Sequence, residues 1–124
     1  MIELTERLHE SPELKCRCYT VDARFEIFSS AMIGIDERNG RFAEITIFTC
    51  NHCKTKWIKY FAEFESFSKS GRWYRGIISE PDLLEIKPDN AVEYLEKLDW
   101  YIYGGSYFPS TGMYGKGKVK ADLM

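Results

Sequence analysis

The sequence predicts an α+β domain: an antiparallel β-sheet meander with one C-terminal helix packed on the sheet. Three observations predict it. Between Phe42 and Ile78 the chain alternates apolar and polar residues with the two-residue period of a strand. Turn-forming clusters separate these runs, and Ala91, Tyr94, Leu95 and Leu98 then fall at the spacing of one helix face. The 124 residues are the size of one domain, and 44% hydrophobic with 15% aromatic residues exclude a disordered chain.

At the N-terminus, Thr5-Glu6-Arg7-Leu8 offers a capping residue and helix formers, but Ser11-Pro12 follows so closely that only a short helix fits. From Tyr19 the residues become β-prone. Val21, Arg24 to Phe28 and Ala31 to Ile35 supply one long interrupted strand or two short ones, with the break near Ser29-Ser30. Asn39-Gly40 is the strongest hairpin signal, because a two-residue type I′ turn needs positive φ at both central residues. Strands should flank it, and pairing about this turn sets Cys50 beside Ser29.

Phe42 to Phe48 alternates Ala43, Ile45 and Ile47 against Phe42, Glu44, Thr46 and Phe48, then runs into Cys50. Lys56 to Glu65 places Ile58, Tyr60, Ala62 and Phe64 on one face and Trp57, Lys59, Phe61 and Glu63 on the other, so both faces carry apolar surface. Ser68 to Gly71 makes a turn, and Arg72 to Ile78 returns as the next strand. Pro81 ends that pattern, and Pro88-Asp89-Asn90 opens the helix over Ala91 to Leu98. Tyr101-Ile102-Tyr103 reads as a last short strand or an aromatic loop before Gly104-Gly105. The chain is read as a single globular domain over residues 1–108, with the Gly-rich segment 109–124 as a flexible tail.

The four cysteines fall as two tight pairs, Cys16-Arg17-Cys18 and Cys50-Asn51-His52-Cys53. Two short pairs brought together by folding supply the four soft ligands of a tetrahedral Zn²⁺. Cys16, Cys18, Cys50 and Cys53 are therefore the expected zinc ligands, in a closed structural site with no position for a reactive water. The Cys-x-x-Cys between two strands resembles the knuckle of the zinc-ribbon class, over Cys50 to Cys53 and the flanking strands. The resemblance implies a zinc knuckle whose backbone N–H groups turn towards the thiolates. Since the hairpin register does not bring Cys18 to Cys50, the first pair must sit on a separate strand or loop that folds over the knuckle end.

Other readings of the cysteines remain open at this stage. A disulfide within Cys16-Arg17-Cys18 would be strained, and the chain lacks a secretory signal. A thiol redox protein using Cys50 and Cys53 is an alternative, although redox Cys-x-x-Cys motifs usually open a helix and here a strand pattern follows. Plain packed thiols are the remaining one. His52 is expected to face solvent and His9 to lie on the surface.

Formal net charge is -2 and the isoelectric point about 5.7, which argues against a chain built chiefly to bind nucleic acid. Charge is also blocked along the sequence: residues 51–79 carry six Lys or Arg against two Asp or Glu, and residues 80–99 carry two against seven. No apolar run approaches the roughly 20 residues that span a bilayer, and the start has no basic region leading into an apolar stretch; no membrane association and a cytoplasmic location are expected. No nucleophile, acid-base or phosphate-loop motif surrounds the two histidines or the glycine runs, and Glu63 with Glu65 reads as a solvated strand face, so no enzymatic chemistry is expected.

The best binding candidate is Lys54 to Arg75, where basic and aromatic residues interleave; Lys56, Trp57, Arg72, Trp73, Tyr74 and Arg75 are the expected contact residues. Trp, Tyr and Arg are the usual anchors of protein interfaces. The expected function is a non-enzymatic, zinc-stabilised small domain that binds a protein partner, for instance as an inhibitor or immunity-type protein. The alternative is single-stranded nucleic-acid binding through the same segment, stacking bases and holding phosphates.

Overall fold

The computed structural model describes residues 16–21, 23, 25–38, 41–63 and 69–121. The expected helix at Thr5 to Leu8, His9, Glu65 and the Asn39-Gly40 pair lie outside these residues. Among the described residues, β1 (Phe28–Asp36), β2 (Ala43–Cys50), β3 (Lys56–Ala62), β4 (Arg72–Ile77), β5 (Tyr101–Gly105) and β6 (Ser110–Gly115) form one antiparallel meander in sequence order. Two short helices, α1 (Glu80–Leu83) and α2 (Ala91–Glu96), lie between β4 and β5.

The first face of the sheet holds the larger core. Ile45, Ile47, Ile58, Tyr60 and Tyr74 pack there with Ala91, Val92 and Leu95 of α2. Each fully buried aliphatic side chain of this kind contributes about 1.5–3 kcal/mol. The helix starts where the sequence indicates: Asn90 accepts a hydrogen bond from the Lys87 N–H at 2.9 Å, and Pro88 sits in the preceding 3-10 turn. Gly76 on β4 lets α2 approach, because a Cβ there would stand 2.3 Å from Leu98 Cδ1 and 3.0 Å from Leu95 Cδ2. Pro81 lies in the first turn of α1, capped by the Ser79 hydroxyl.

The second face carries Phe48, Cys50, Trp57 and Ile102, covered by Cys18, Tyr19, Val21, Ile27 and Phe28. Both faces of β3 are thus buried, as its alternation predicts, but by different structures: a helix on one and the N-terminal cysteine segment on the other.

Three expectations are corrected. Among the described residues before Phe28 there is no strand; they make 3-10 turns at Arg17–Tyr19 and Phe25–Ile27, which fold this part of the chain back over the sheet. Nor does β1 break at Ser29-Ser30. Its irregularity is a bulge at Ile33: Asp36, Ile35 and Gly34 pair with Ala43, Glu44 and Ile45, and beyond the bulge Met32 pairs with Thr46. The register near the turn is the predicted one, and the bulge shifts the rest by a residue, so that Cys50 pairs with Phe28 and not with Ser29. The ladder ends at Asp36 and Ala43, with the Arg41 N–H donating to the Arg38 carbonyl at 3.0 Å. Finally, residues 110–115 are strand β6 and not part of a tail, and Val119 and Ala121 are buried in the core. The Tyr101 hydroxyl donates to the Gly117 or Lys118 carbonyl, and the Val119 N–H donates to Glu96.

Candidate metal centre

The two cysteine pairs meet at the end of the second sheet face. Cys50 closes β2, and Asn51-His52-Cys53 turns the chain towards β3. The Lys54 N–H donates to the Cys50 carbonyl and the Cys50 N–H to the Thr55 carbonyl, both at 2.9 Å. Lys54 takes a positive φ of 67°, the backbone conformation that glycine takes most easily. The Asn51 N–H donates to the Ile27 carbonyl at 2.8 Å, and the Ser29 hydroxyl donates to Asn51 Oδ1 at 2.7 Å, tying the knuckle to the base of β1. Cys16 and Cys18 arrive from the opposite direction, on a 3-10 turn that aims both sulfurs at the knuckle.

All four Sγ atoms lie within 4.8 Å of one another. Cys16 and Cys50 are 3.7 Å apart, and Cys18 and Cys53 are 3.6 Å apart. A tetrahedron of sulfurs at 2.3 Å from a central Zn²⁺ has edges of about 3.8 Å, close to the spacing of these two pairs. All four cysteines are free thiols, without a disulfide between them. Cys18 and Cys50 are fully buried, Cys16 partly so and Cys53 exposed. His52 is exposed and does not join the sulfur cluster.

The surroundings favour thiolate at one end. Burial works against the Cys53 thiolate, but hydrogen bonds from Thr55, whose Oγ1 is 3.1 Å away, and from Cys16 and Cys18 bring its pKa down to about 6. The backbone N–H of Cys18 favours the Cys16 thiolate, although burial and the neighbouring thiols leave Cys16 above its ordinary value, and the backbone N–H of Thr55 favours the Cys53 thiolate. Burial pushes Cys18 up strongly. The buried Trp57 indole N–H acts in the other direction, by a hydrogen bond that favours the Cys18 thiolate. A donor aimed at a buried sulfur is the kind of outer partner that a thiolate ligand takes.

Arg75 and Tyr114 hold the cysteine turn in place. Arg75 donates to the Cys18 and Thr20 carbonyls, each at 2.8 Å, and stacks its guanidinium 4.3 Å from the Trp57 ring centroid. The Tyr114 hydroxyl donates to the Tyr19 carbonyl, and the Tyr19 ring meets Trp57 edge-on. Strand alternation gives no sign of this role, and the sequence places Arg75 among the contact residues instead.

Of the six expected contact residues, Trp57, Arg72, Tyr74 and Arg75 are buried, while Lys56 and Trp73 are half-buried. Trp57, Trp73 and Arg75 belong to the metal-centre face, whereas Tyr74 lies in the helix-covered core. Arg72, also buried, stacks on Tyr107. Glu63 is exposed. No helix among the described residues is long and apolar enough to cross a membrane. No family model, curated protein or solved structure matches the chain.

Proposed function

We propose that this chain is a non-catalytic, Zn²⁺-stapled module that docks a protein partner along the β1 edge. The reading of the metal as Zn²⁺ rests on the donor set: four cysteines at tetrahedral spacing, with no place left for a substrate or water ligand. The reading of partner binding rests on one observation, the chemistry of β1. It is an edge strand, and Phe28-Ser29-Ser30-Ala31-Met32-Ile33-Gly34-Ile35 carries no charge. Met32, Ile33 and Ile35 are exposed, and Phe42 beside them is 66% exposed. Soluble proteins usually guard such edges with lysine, proline or a bulge; β1 has only the bulge at Ile33, and a strand edge without charge or proline is a template for an added strand.

Exposed Glu44 pairs across from Ile35 and exposed Glu37 follows β1, while exposed Glu80, Asp82 and Glu85 lie on or next to α1, whose Leu83 shares a groove with Ser29, Ala31, Ile33 and one cation, Lys56. The fitting partner is therefore an extended apolar segment flanked by basic residues. A small acidic inhibitor of a basic protein would bind in this way.

Two measurements test the reading. Protein purified without added metal or chelator should contain one zinc per chain, with thiols that react only after chelation or unfolding. Absence of zinc, with thiols lost to oxidation, would favour the redox alternative. A partner captured by the parent chain and then purified should lose at least about tenfold in affinity for Met32→Lys/Ile35→Lys, a variant that keeps its zinc. Undiminished binding to that variant removes the β1 interface.

A further inference from the structure

The metal centre leaves part of its sheet face unexplained. A cavity of about 410 Å³ opens there, lined by Glu26, Phe28, Phe48, Lys59, Trp73 and Arg75. Three aromatic rings and two cations converge on it. Lys59 Nζ lies 5.4 Å from the Phe48 ring centroid and 5.7 Å from that of Trp73, and the Arg75 guanidinium is 5.5 Å from Phe28.

The two cations stand directly opposite each other on β3 and β4. Like charges in that register repel. Burial, reinforced by the Arg75 charge, lowers the Lys59 pKa, while Glu44 acts the other way. The two acceptors of Arg75 are backbone carbonyls, so these bonds orient the guanidinium without neutralising it. Glu26, the acid of the lining, is exposed. Two neighbouring cations on the wall of a cavity suit an anionic ligand.

We propose that this cavity binds a flat aromatic ring bearing a phosphate: one nucleotide, its base against Trp73 and Phe48 and its phosphate at Lys59 and Arg75. Rings with a sequence-tolerant π face suit the base, and two cations suit a doubly charged anion better than a carboxylate. The volume falls within the range of small-ligand pockets and accommodates one nucleotide. That nucleotide can be supplied free or as one unstacked residue of a single strand. The inference does not depend on the β1 reading.

The test titrates the zinc-replete full chain with thymidine monophosphate, following tryptophan fluorescence and calorimetry, with thymidine and inorganic phosphate as controls. The monophosphate should saturate with a Kd of about 1 mM or tighter, and each control should bind at least about tenfold more weakly. Lys59→Met should erase the advantage of the monophosphate over thymidine while the protein keeps its zinc and its near-UV circular dichroism. Trp73→Leu should weaken monophosphate and thymidine alike. An oligothymidylate that binds more than about tenfold tighter than the monophosphate identifies a single strand as the source; equal affinity identifies the free nucleotide. Lack of saturable monophosphate binding, or binding that both substitutions leave unchanged, overturns the proposal.

Discussion

Asp36 shows how much a single residue can hold. It is fully buried at the end of β1 and accepts hydrogen bonds from the Arg38 side chain, from Arg41 at 3.0 Å and from the Tyr60 hydroxyl at 3.2 Å. Arg38 continues to Glu93 on α2, so one carboxylate links the β1–β2 connection to the helix layer. Burial raises the Asp36 pKa, but the hydrogen bonds of Arg38 and Arg41 outweigh it and hold the group below its ordinary value. A carboxylate depressed in the folded state contributes stability above its unfolded value of about 3.9 and loses it as the pH falls through the folded one. Asp36→Asn should therefore cost about 1.5–3 kcal/mol at neutral pH by removing the charge-assisted hydrogen bonds of Arg38 and Arg41. Denaturant midpoints of the two proteins should converge as the pH is lowered below that range; a constant gap would rule out the carboxylate as the cause. Arg75 makes a second residue-level case: Arg75→Lys keeps the charge but loses the two-carbonyl fork, and should weaken zinc binding by about 10–100-fold in chelator competition. The cysteine cluster was legible because cysteine spacing carries its own chemistry. Asp36 and Arg75 were not, since strand alternation cannot tell a charged residue facing solvent from one facing buried acceptors.

At the scale of elements, strands β2 to β4 and helix α2 could be read from their periodicity, whereas β6 and the β1 bulge could not. Glycines caused the first miss. Gly112 and Gly115 suggest a mobile segment, yet a Cβ at Gly112 would stand 2.3 Å from the Val21 carbonyl oxygen and one at Gly115 would stand 2.6 Å from Tyr103. They are close-approach glycines, which let the cysteine segment and the β5 aromatics lie against β6. The bulge at Ile33 has no local signal stronger than Gly34, whose φ of 149° and contact with Pro88 appear only in the folded chain. Gly76 offers the direct test of element packing. Gly76→Ala forces Leu95 and Leu98 away from β4, and overpacking of this kind costs about 1–3 kcal/mol. The gain from a stiffer unfolded chain, about 0.4–1 kcal/mol, does not offset it. The variant should unfold at lower denaturant with an unchanged m-value, and an unaltered midpoint would mean that α2 does not pack as described.

For the whole molecule, composition indicated one domain but could not show that the two sheet faces are closed by different means. The helix-covered face packs without any cysteine, through Ile45, Ile58, Tyr60, Tyr74 and Leu95. The other face is closed by a short segment whose few turns cannot stay folded alone and which is clipped to the sheet by its sulfurs. Metal removal should therefore divide the molecule into a part that survives and a part that does not. With the metal at about a thousandfold over its Kd, binding contributes about 4 kcal/mol. For a chain of this length that corresponds to a fall in Tm of roughly 10–20 °C on chelation. Far-UV circular dichroism at room temperature should remain that of a sheet, because the first core is intact. Near-UV signals should collapse, since Tyr19 leaves Trp57 and Trp100, which it meets at centroid distances of 5.5 and 6.0 Å. An unchanged Tm would make the cysteine cluster a packing feature without a metal. Complete unfolding at room temperature would mean that the helix-covered core cannot stand alone, and that the staple holds the fold as well as the face beside it.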